Sequence, residues 1–300
     1  MKDYSTPPFF VIPQVTIHSD CLYLYGRLEW VSAPSGKRLN SLKNLEDNSH
    51  HNKLSSNASR KLKKAVKYLL YNACNKKVYS SKKGSMFNFK VQLITLTLAA
   101  QQVDSDEVIK SKLLNHFFLH AKRKWNMVNY VWKAERQANG NIHFHILSDV
   151  YIPHRELRDT WNNIQAKLSY IDEFKKVHGH ISPNSTDIHS LRNVKNAAAY
   201  VTKYIAKNEQ LSNMEGRIWG CSQNLSNIEG AKVELNDEIV KEIERLQKEE
   251  GAKRIDDEHF SIVLFDQNFI TKKNYPLLYT IFHTWHKERF KLARAQTIFD

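Results

Sequence analysis

The pattern of apolar and polar residues between positions 90 and 210 predicts a series of strands and helices. The first segment, 91–98, is a continuous apolar and β-branched run, which is typical of a buried strand. Asn139-Gly140 separates two alternating runs and indicates a hairpin. The predicted elements in chain order are a strand at 91–98, a helix at 104–124, strands at 128–136 and 142–148, a helix at 153–168, a weaker strand within 178–191 and a helix at 192–207.

This order, β-α-β-β-α-β followed by a helix, is that of ferredoxin-like and RNA-recognition-like (RRM-like) folds. In these α+β folds the helices pack on one face of an antiparallel sheet. The opposite face stays open for a functional site. We therefore predict an α+β fold with helices on one face of the sheet for the segment 90–225.

The flanking segments are predicted to be extensions of this domain. The N-terminal one should contain one or two strands within 11–30 and a helix at 54–75. The C-terminal one should contain a charged helix at 234–250, a strand at 259–266 and an amphipathic helix at 276–295. The predicted division is an N-terminal extension, a central domain and an α-rich C-terminal extension, with the boundaries 1–89, 90–225 and 226–300.

The charge of the chain favours a polyanionic partner. The formal net charge is +14 and the isoelectric point is about 9.5, which is typical of proteins that bind nucleic acid. Lys61, Lys63, Lys64 and Lys67 lie on one side of the helix predicted at 54–75, where they either contact phosphates or form a solvated face. A basic protein without such a partner is the alternative.

Cysteine usage and hydropathy argue against other classes. Cys21, Cys74 and Cys221 are odd in number and far apart, so they form neither a disulfide framework nor a zinc motif. A reducing cytosol is expected. No apolar run is long enough to span a membrane, and no basic start followed by an apolar core predicts a secretory signal.

The triplet His143-Phe144-His145 is a candidate metal site. Alternate residues of a strand point to the same face, so the two histidines would share the face opposite Phe144. Two imidazoles and one carboxylate, with open positions, suit a catalytic divalent cation. Asp187 and His189 are weaker candidates for a ligand or for its hydrogen-bond partner. The alternative interpretation is a pair of exposed histidines without a metal.

We predict that the carboxylate is Glu135, on the partner strand of the hairpin. Opposite residues of an antiparallel pair share a face. A two-residue Asn139-Gly140 turn would place Glu135 opposite Phe144, on the wrong face. A three-residue loop, 138–140, with a left-handed Gly140 and a bulge places Glu135 opposite His143 instead. We predict the three-residue loop.

Tyr200 and Tyr204 are the candidate nucleophiles. They lie four residues apart on the predicted helix and therefore share a face. A phenol with a pKa of about 10 is a weak nucleophile at pH 7 and needs a nearby cation. Lys203 and Lys207 each follow a tyrosine by one turn and could stabilise phosphate charge or the departing oxygen. Two aromatic residues at the edge of a core are the alternative.

Three short motifs carry a resemblance to a known family. They are Leu93–Thr97, Gly140–His145 and Ala199–Tyr204. In this order they resemble the motifs of the HUH endonucleases, which are named for a His-hydrophobic-His triplet. More narrowly, they are similar to those of the rolling-circle replication initiators of microviruses, which are small single-stranded DNA phages. The resemblance covers about residues 90–225 and implies the HUH endonuclease fold there.

The resemblance implies a DNA-nicking enzyme that depends on Mg²⁺ or Mn²⁺. One tyrosine would attack the scissile phosphate at the origin, form a 5′-phosphotyrosyl intermediate and leave a free 3′-OH for extension. The second tyrosine would cleave the regenerated origin, and the displaced strand would be closed into a circle. No Walker-type motif predicts a helicase domain in the chain.

The implied partners are origin DNA, single-stranded or in supercoiled duplex, and the host helicase and polymerase. The implied location is the cytoplasm of a bacterial host. Two alternatives stay open. One is a plasmid initiator or relaxase with the same chemistry, and the other is a non-catalytic basic nucleic-acid-binding protein.

Overall fold

The chain forms two compact units in the computed structural model, which describes residues 9–30, 55–80, 84–191, 214–257 and 259–290. The central unit is His50–Ile228 together with Gln296–Asp300, and the second unit combines Met1–Ser49 with Glu229–Ala295. Each contains a five-stranded sheet among its described residues. In these described ranges, no helix is both long and apolar enough to cross a membrane.

The described strands and helices are numbered in chain order. The strands are β1 Phe9–Ile17, β2 Cys21–Trp30, β3 Lys76–Ser80, β4 Ser85–Phe89, β5 Val91–Thr97, β6 Tyr130–Arg136, β7 Ile142–Ser148, β8 Thr186–Leu191, β9 Trp219–Cys221, β10 Ala231–Glu234, β11 Lys253–Asp256 and β12 Phe260–Leu264. The α-helices are α1 Ser56–Asn72, α2 106–125 (with a π-helical stretch at Ile109–Leu114), α3 His154–Gln165, α4 Tyr170–His178, α5 Asp237–Gln247 and α6 Pro276–Arg289. Two short 3₁₀ helices are Ala166–Leu168 and Gln223–Leu225.

The large sheet of the central unit is antiparallel, with the strand order β8-β5-β7-β6-β9. The strand that carries the His-Phe-His triplet, β7, lies in the middle, as predicted. The sequence order β5-α2-β6-β7-α3-β8 confirms the predicted α+β arrangement up to residue 191.

Helices α2 and α3 cover the face of this sheet that contains Phe144. Phe118 of α2 stacks on Tyr130 of β6 with 4.0 Å between the ring centroids. Trp161 of α3 contacts Phe117 of α2 edge to face and donates a hydrogen bond to the main-chain oxygen of Thr97. Phe117, Phe144 and Trp161 are fully buried, and burying aromatic side chains of this size stabilises a domain by roughly 2–3 kcal/mol each.

The structure contains four strands that the hydrophobic pattern did not predict. The segment 216–225 was expected to be irregular, yet β9 pairs there with Val131–Lys133 of β6. The segment 80–84 was expected to be a simple connection, and it joins the strands of the hairpin β3–β4. The other two are β10 and β11. Each of these strands has three to five residues, which is too short for a two-residue period to stand out.

The second unit is built from strands that are far apart in the sequence. Its sheet has the order β10-β1-β2-β12-β11, so N-terminal strands pair with C-terminal ones. The compact units therefore do not follow the sequential division into 1–89, 90–225 and 226–300. Helix α1 and the hairpin β3–β4 belong to the central unit, whereas the boundary near residue 226 lies close to an observed one.

Candidate functional site

The hairpin between β6 and β7 sets the register of the site. Gln137 N donates to Asn141 O, and Gly140 N donates to Gln137 O, both at 2.9 Å. Gly140 has a φ of 87°, a left-handed conformation that glycine adopts without steric cost. The loop therefore has three residues, and Glu135 is paired with His143. Both features confirm the prediction made from the sequence.

The end of this hairpin is tied to the loop before α2. The Asn141 side chain accepts a hydrogen bond from Gln102 N at 2.8 Å and donates one to Ala100 O at 2.9 Å. Arg136 Nη2 lies 2.6 Å from the carboxylate of Asp106, whose side chain is almost fully buried. Because a buried carboxylate needs such partners, these contacts hold the start of β7 in a fixed position.

Glu135, His143 and His145 form a cluster on the open face of the sheet. Glu135 Oε2 lies 3.6 Å from His143 Nε2 and 3.4 Å from His145 Nε2. The two imidazole centroids are 4.6 Å apart. Each residue offers one ligand atom, and these atoms all lie within 4.8 Å of one another. The three side chains could therefore hold one metal ion.

Neighbouring side chains orient two members of the cluster. Lys133 Nζ lies 2.8 Å from Glu135 Oε1 and is fully buried, so one carboxylate oxygen contacts the lysine and the other faces the imidazoles. Thr95 Oγ1 lies 3.1 Å from His145 Nδ1. A hydrogen bond at one ring nitrogen fixes the orientation of the other, as is usual for metal-ligating histidines.

The chemistry of the cluster fits a cation. Burial by itself would raise the pKa of the Glu135 carboxyl, but contacts with His143, His145 and Lys133 outweigh it and hold this pKa well below its usual range. A metal ligand has to be deprotonated. In addition, both ring nitrogens of His143 are buried without a hydrogen-bond partner among the described residues. Such unpaired nitrogens are costly, and a bound ion would satisfy one of them.

The two weaker candidates lie away from the cluster. Asp187 and His189 are on the edge strand β8, paired with Thr95 and Leu93 of β5. They contact each other at 2.8 Å, and more than half of each side chain is exposed. Asp187 is two strands away from His145, roughly 10 Å at the usual strand spacing. In the described part of the chain the candidate metal cluster does not include either residue.

The candidate nucleophiles cannot be placed in this way. Tyr200, Lys203, Tyr204 and Lys207 fall within 192–213, which lies outside the described residues. Their roles stay a prediction.

Sequence reasoning missed Lys133 and Thr95. A signal for Lys133 was present, because it precedes Glu135 by two residues on the same strand and must share its face. The position of Thr95 opposite His145 depends on the pairing of β5 with β7, which only the tertiary structure shows.

The fold and the cluster together define an α+β domain with a candidate metal site on the open face of its central sheet. Residues 91–209 of the chain match the family of replication-associated proteins of the ORF2 type. The matched segment begins with β5 and includes both the His-Phe-His triplet and the tyrosine motif. No curated protein and no solved structure matches the chain.

This match confirms the resemblance at the level of replication-associated proteins and is consistent with a rolling-circle replication initiator. It concerns the central segment alone. The narrower microvirus type remains a prediction.

Proposed function

We propose that the protein is a metal-dependent single-strand DNA endonuclease and strand transferase that initiates rolling-circle replication. One observation carries the proposal. The cluster of Glu135, His143 and His145 lies on the middle strands of the segment that is similar to replication-associated proteins. The net charge of +14 agrees with a DNA substrate.

Glu135, His143 and His145 would hold the cation, which we propose to be Mg²⁺ or Mn²⁺. Two imidazoles and one carboxylate leave positions open for substrate oxygens. When bound, the cation would supply Lewis-acid polarisation of the scissile phosphate. Lys133 keeps the Glu135 carboxylate ionised and turned towards the histidines, and Thr95 orients His145.

The nucleophile in this proposal is the phenol oxygen of Tyr200 or Tyr204. It attacks phosphorus, the bond from phosphorus to the 3′ oxygen breaks, and that oxygen leaves as a 3′-OH after taking up a proton. The product is a 5′-phosphotyrosine, which conserves a phosphodiester bond. The reverse attack by a 3′-OH rejoins the strand and regenerates the phenol, so no nucleotide cofactor is needed. Lys203 and Lys207 would stabilise the phosphate charge.

The position of the described strands supports a tyrosine segment on the same face as the cluster. The motif lies between β8 and β9, which form opposite edges of the sheet. Helices α2 and α3 cover the face that contains Phe144. We infer that the connection between the two edges passes over the other face, which carries Glu135, His143 and His145.

Two tyrosines on one helix face would allow cleavage to be repeated without dissociation. On an α-helix Tyr204 would lie about 6 Å further along the axis than Tyr200. We favour Tyr200 for the first cut, because Lys203 follows it as in the single-tyrosine form of the motif.

The partners in this proposal are origin DNA and the host helicase and polymerase, in the cytoplasm of a bacterial host. A plasmid initiator or relaxase would use the same chemistry. A non-catalytic DNA-binding protein would leave the buried, unpaired nitrogens of His143 without a role.

Nicking of supercoiled origin DNA tests the proposal. With Mg²⁺ or Mn²⁺ the protein should convert supercoiled to open circular DNA and form a covalent adduct that persists on denaturing gels. His143→Ala should abolish nicking, whereas His189→Gln, on the exposed edge of the same sheet, should retain it. Equal nicking by the His143 variant would overturn the assignment of the metal site.

The tyrosines are tested with phenylalanine, which keeps the ring and removes the hydroxyl. Each of Tyr200→Phe and Tyr204→Phe should still bind a labelled origin oligonucleotide. The double variant should form no covalent adduct. An adduct that persists in the double variant would place the nucleophile elsewhere.

A further inference from the structure

The positive charge of the protein is concentrated in one stretch of sequence. Residues 48–103 contain no Asp or Glu and eleven Lys or Arg, against a formal net charge of +14 for the whole chain. These basic residues are Lys53, Arg60, Lys61, Lys63, Lys64, Lys67, Lys76, Lys77, Lys82, Lys83 and Lys90. The rest of the chain is nearly neutral, so the segment around α1 and the hairpin β3–β4 dominates the field of the protein.

The structure separates the cations of α1 into two groups. Lys64 donates a hydrogen bond to Ile228 O at 3.1 Å, and Lys67 is partly desolvated. These two face the rest of the central unit. Arg60, Lys61 and Lys63 are exposed, and among the described residues no carboxylate lies within salt-bridge distance of any of them. An exposed cation without an acidic neighbour contributes its full charge to the surface potential.

The hairpin β3–β4 presents a second solvent-exposed surface directly after α1. Its inner side carries Phe87 and Phe89, which pack edge to face against Tyr151. Its outer side carries Lys77 and Tyr79, paired with Asn88 and Met86 on the neighbouring strand, and all four are exposed. The hairpin is therefore a two-stranded ribbon with one packed side and one free side that contains hydrogen-bonding groups.

We propose that helix α1 and the hairpin β3–β4 together form a docking surface for duplex DNA. It rests on the proposed function only in taking DNA as the partner. Arg60, Lys61 and Lys63 contact the phosphates, whose density of about one charge per 1.7 Å of duplex requires clustered cations. The outer side of the hairpin has the dimensions that a major groove admits, since the groove accepts a two-stranded ribbon.

This surface would give the enzyme a hold on the duplex that does not depend on the metal or the tyrosines. It would keep the protein on the replicative DNA while a single strand is cleaved. Phosphate contacts supply affinity and register but carry little sequence information, so duplexes of unrelated sequence should bind as well.

Binding of a short duplex of unrelated sequence, in EDTA and over a series of salt concentrations, tests the proposal with the full-length protein. Fluorescence anisotropy gives the affinity, and the slope of log affinity against log salt counts phosphate contacts at about 0.9 per contact. Arg60→Gln/Lys63→Gln should reduce the magnitude of the slope by about 1.8 and the affinity at 0.1 M salt by roughly 60-fold. Lys77→Gln should cost about eightfold.

The control neutralises an equally exposed pair on another helix. Lys122→Gln/Arg123→Gln on α2 removes the same charge, and its binding should stay within about twofold of the wild type. Glutamine is a good helix former, so circular dichroism should show intact folds for both double variants. Equal losses in the two double variants would overturn the localisation, and so would tighter binding of the single strand than of the duplex.

The experiment separates this inference from the proposed function. EDTA removes metal-dependent nicking, and the unrelated duplex lacks the origin, so binding reports the surface alone. A protein that binds the duplex but never nicks would retain the surface and lose the endonuclease. A protein that nicks while Arg60→Gln/Lys63→Gln binds normally would do the opposite.

Discussion

Replacement of Asn141 by alanine tests whether the tie between the hairpin and the loop before α2 holds the metal-binding strand in place. The Asn141 side chain is buried and bonds the backbone at both Ala100 and Gln102. Alanine leaves one carbonyl and one amide of that loop without these partners. An unpaired buried group costs about 1–3 kcal/mol. Ala100 and Gln102 are partly exposed, so water recovers some of this, and we expect a total loss of about 2 kcal/mol.

The loss should appear in urea unfolding followed by tryptophan fluorescence. Trp125, Trp132, Trp161 and Trp219 lie in the central unit, so the signal reports mainly its unfolding. The midpoint should fall with an unchanged slope, because the compactness of the states does not change. The matched control is Asn115→Ala on the exposed side of α2, which should stay within about 0.5 kcal/mol of the wild type.

The same variant should weaken Mn²⁺ binding. Partners that orient a metal ligand are typically worth 10–100-fold in affinity, and Asn141 acts through the backbone rather than on a ligand. We therefore expect a loss of about tenfold, at the lower end of that range. A variant as stable as the control would refute the reasoning, since both hydrogen bonds would then contribute nothing.

Two further predictions concern local backbone and charge. Gly140→Ala should lower the free energy of unfolding by about 1–2 kcal/mol, because a side chain in left-handed backbone is strained, whereas Gly140→Asn should cost less; equal stabilities in urea unfolding would contradict this. Burial lowers the pKa of Lys67 to about 8, so the folded state binds fewer protons than the unfolded state between about pH 8 and 10.5. The free energy of unfolding should therefore rise with pH in that window, and Lys67→Met should flatten the rise in a pH series of unfolding curves.

Part of the fold could be predicted from local pattern. The alternation in β7 assigned His143 and His145 to one face, because the two-residue period of a strand is independent of what surrounds it. The loop 138–140 could be predicted as well, since only one loop length places Glu135 on that face. Both depend on neighbours in sequence, and the observed register confirms them.

Other parts depend on contacts between distant segments. Strand β9 has three residues, and it forms a strand only because the edge of β6 offers hydrogen bonds. Likewise, β1 and β10 pair across more than two hundred residues of sequence, which no local periodicity encodes.

At the site, the sequence by itself determined the three candidate ligands of the metal, because their spacing and the hairpin fix their common face. Only the tertiary structure decided what surrounds them. The buried Lys133 contacts Glu135, and Thr95 contacts His145 across the β5–β7 pair. Tertiary packing also determined which lysines of α1 face the protein and which face solvent. Charge pattern along a chain reports how many cations there are, whereas their exposure depends on which side of the helix is packed.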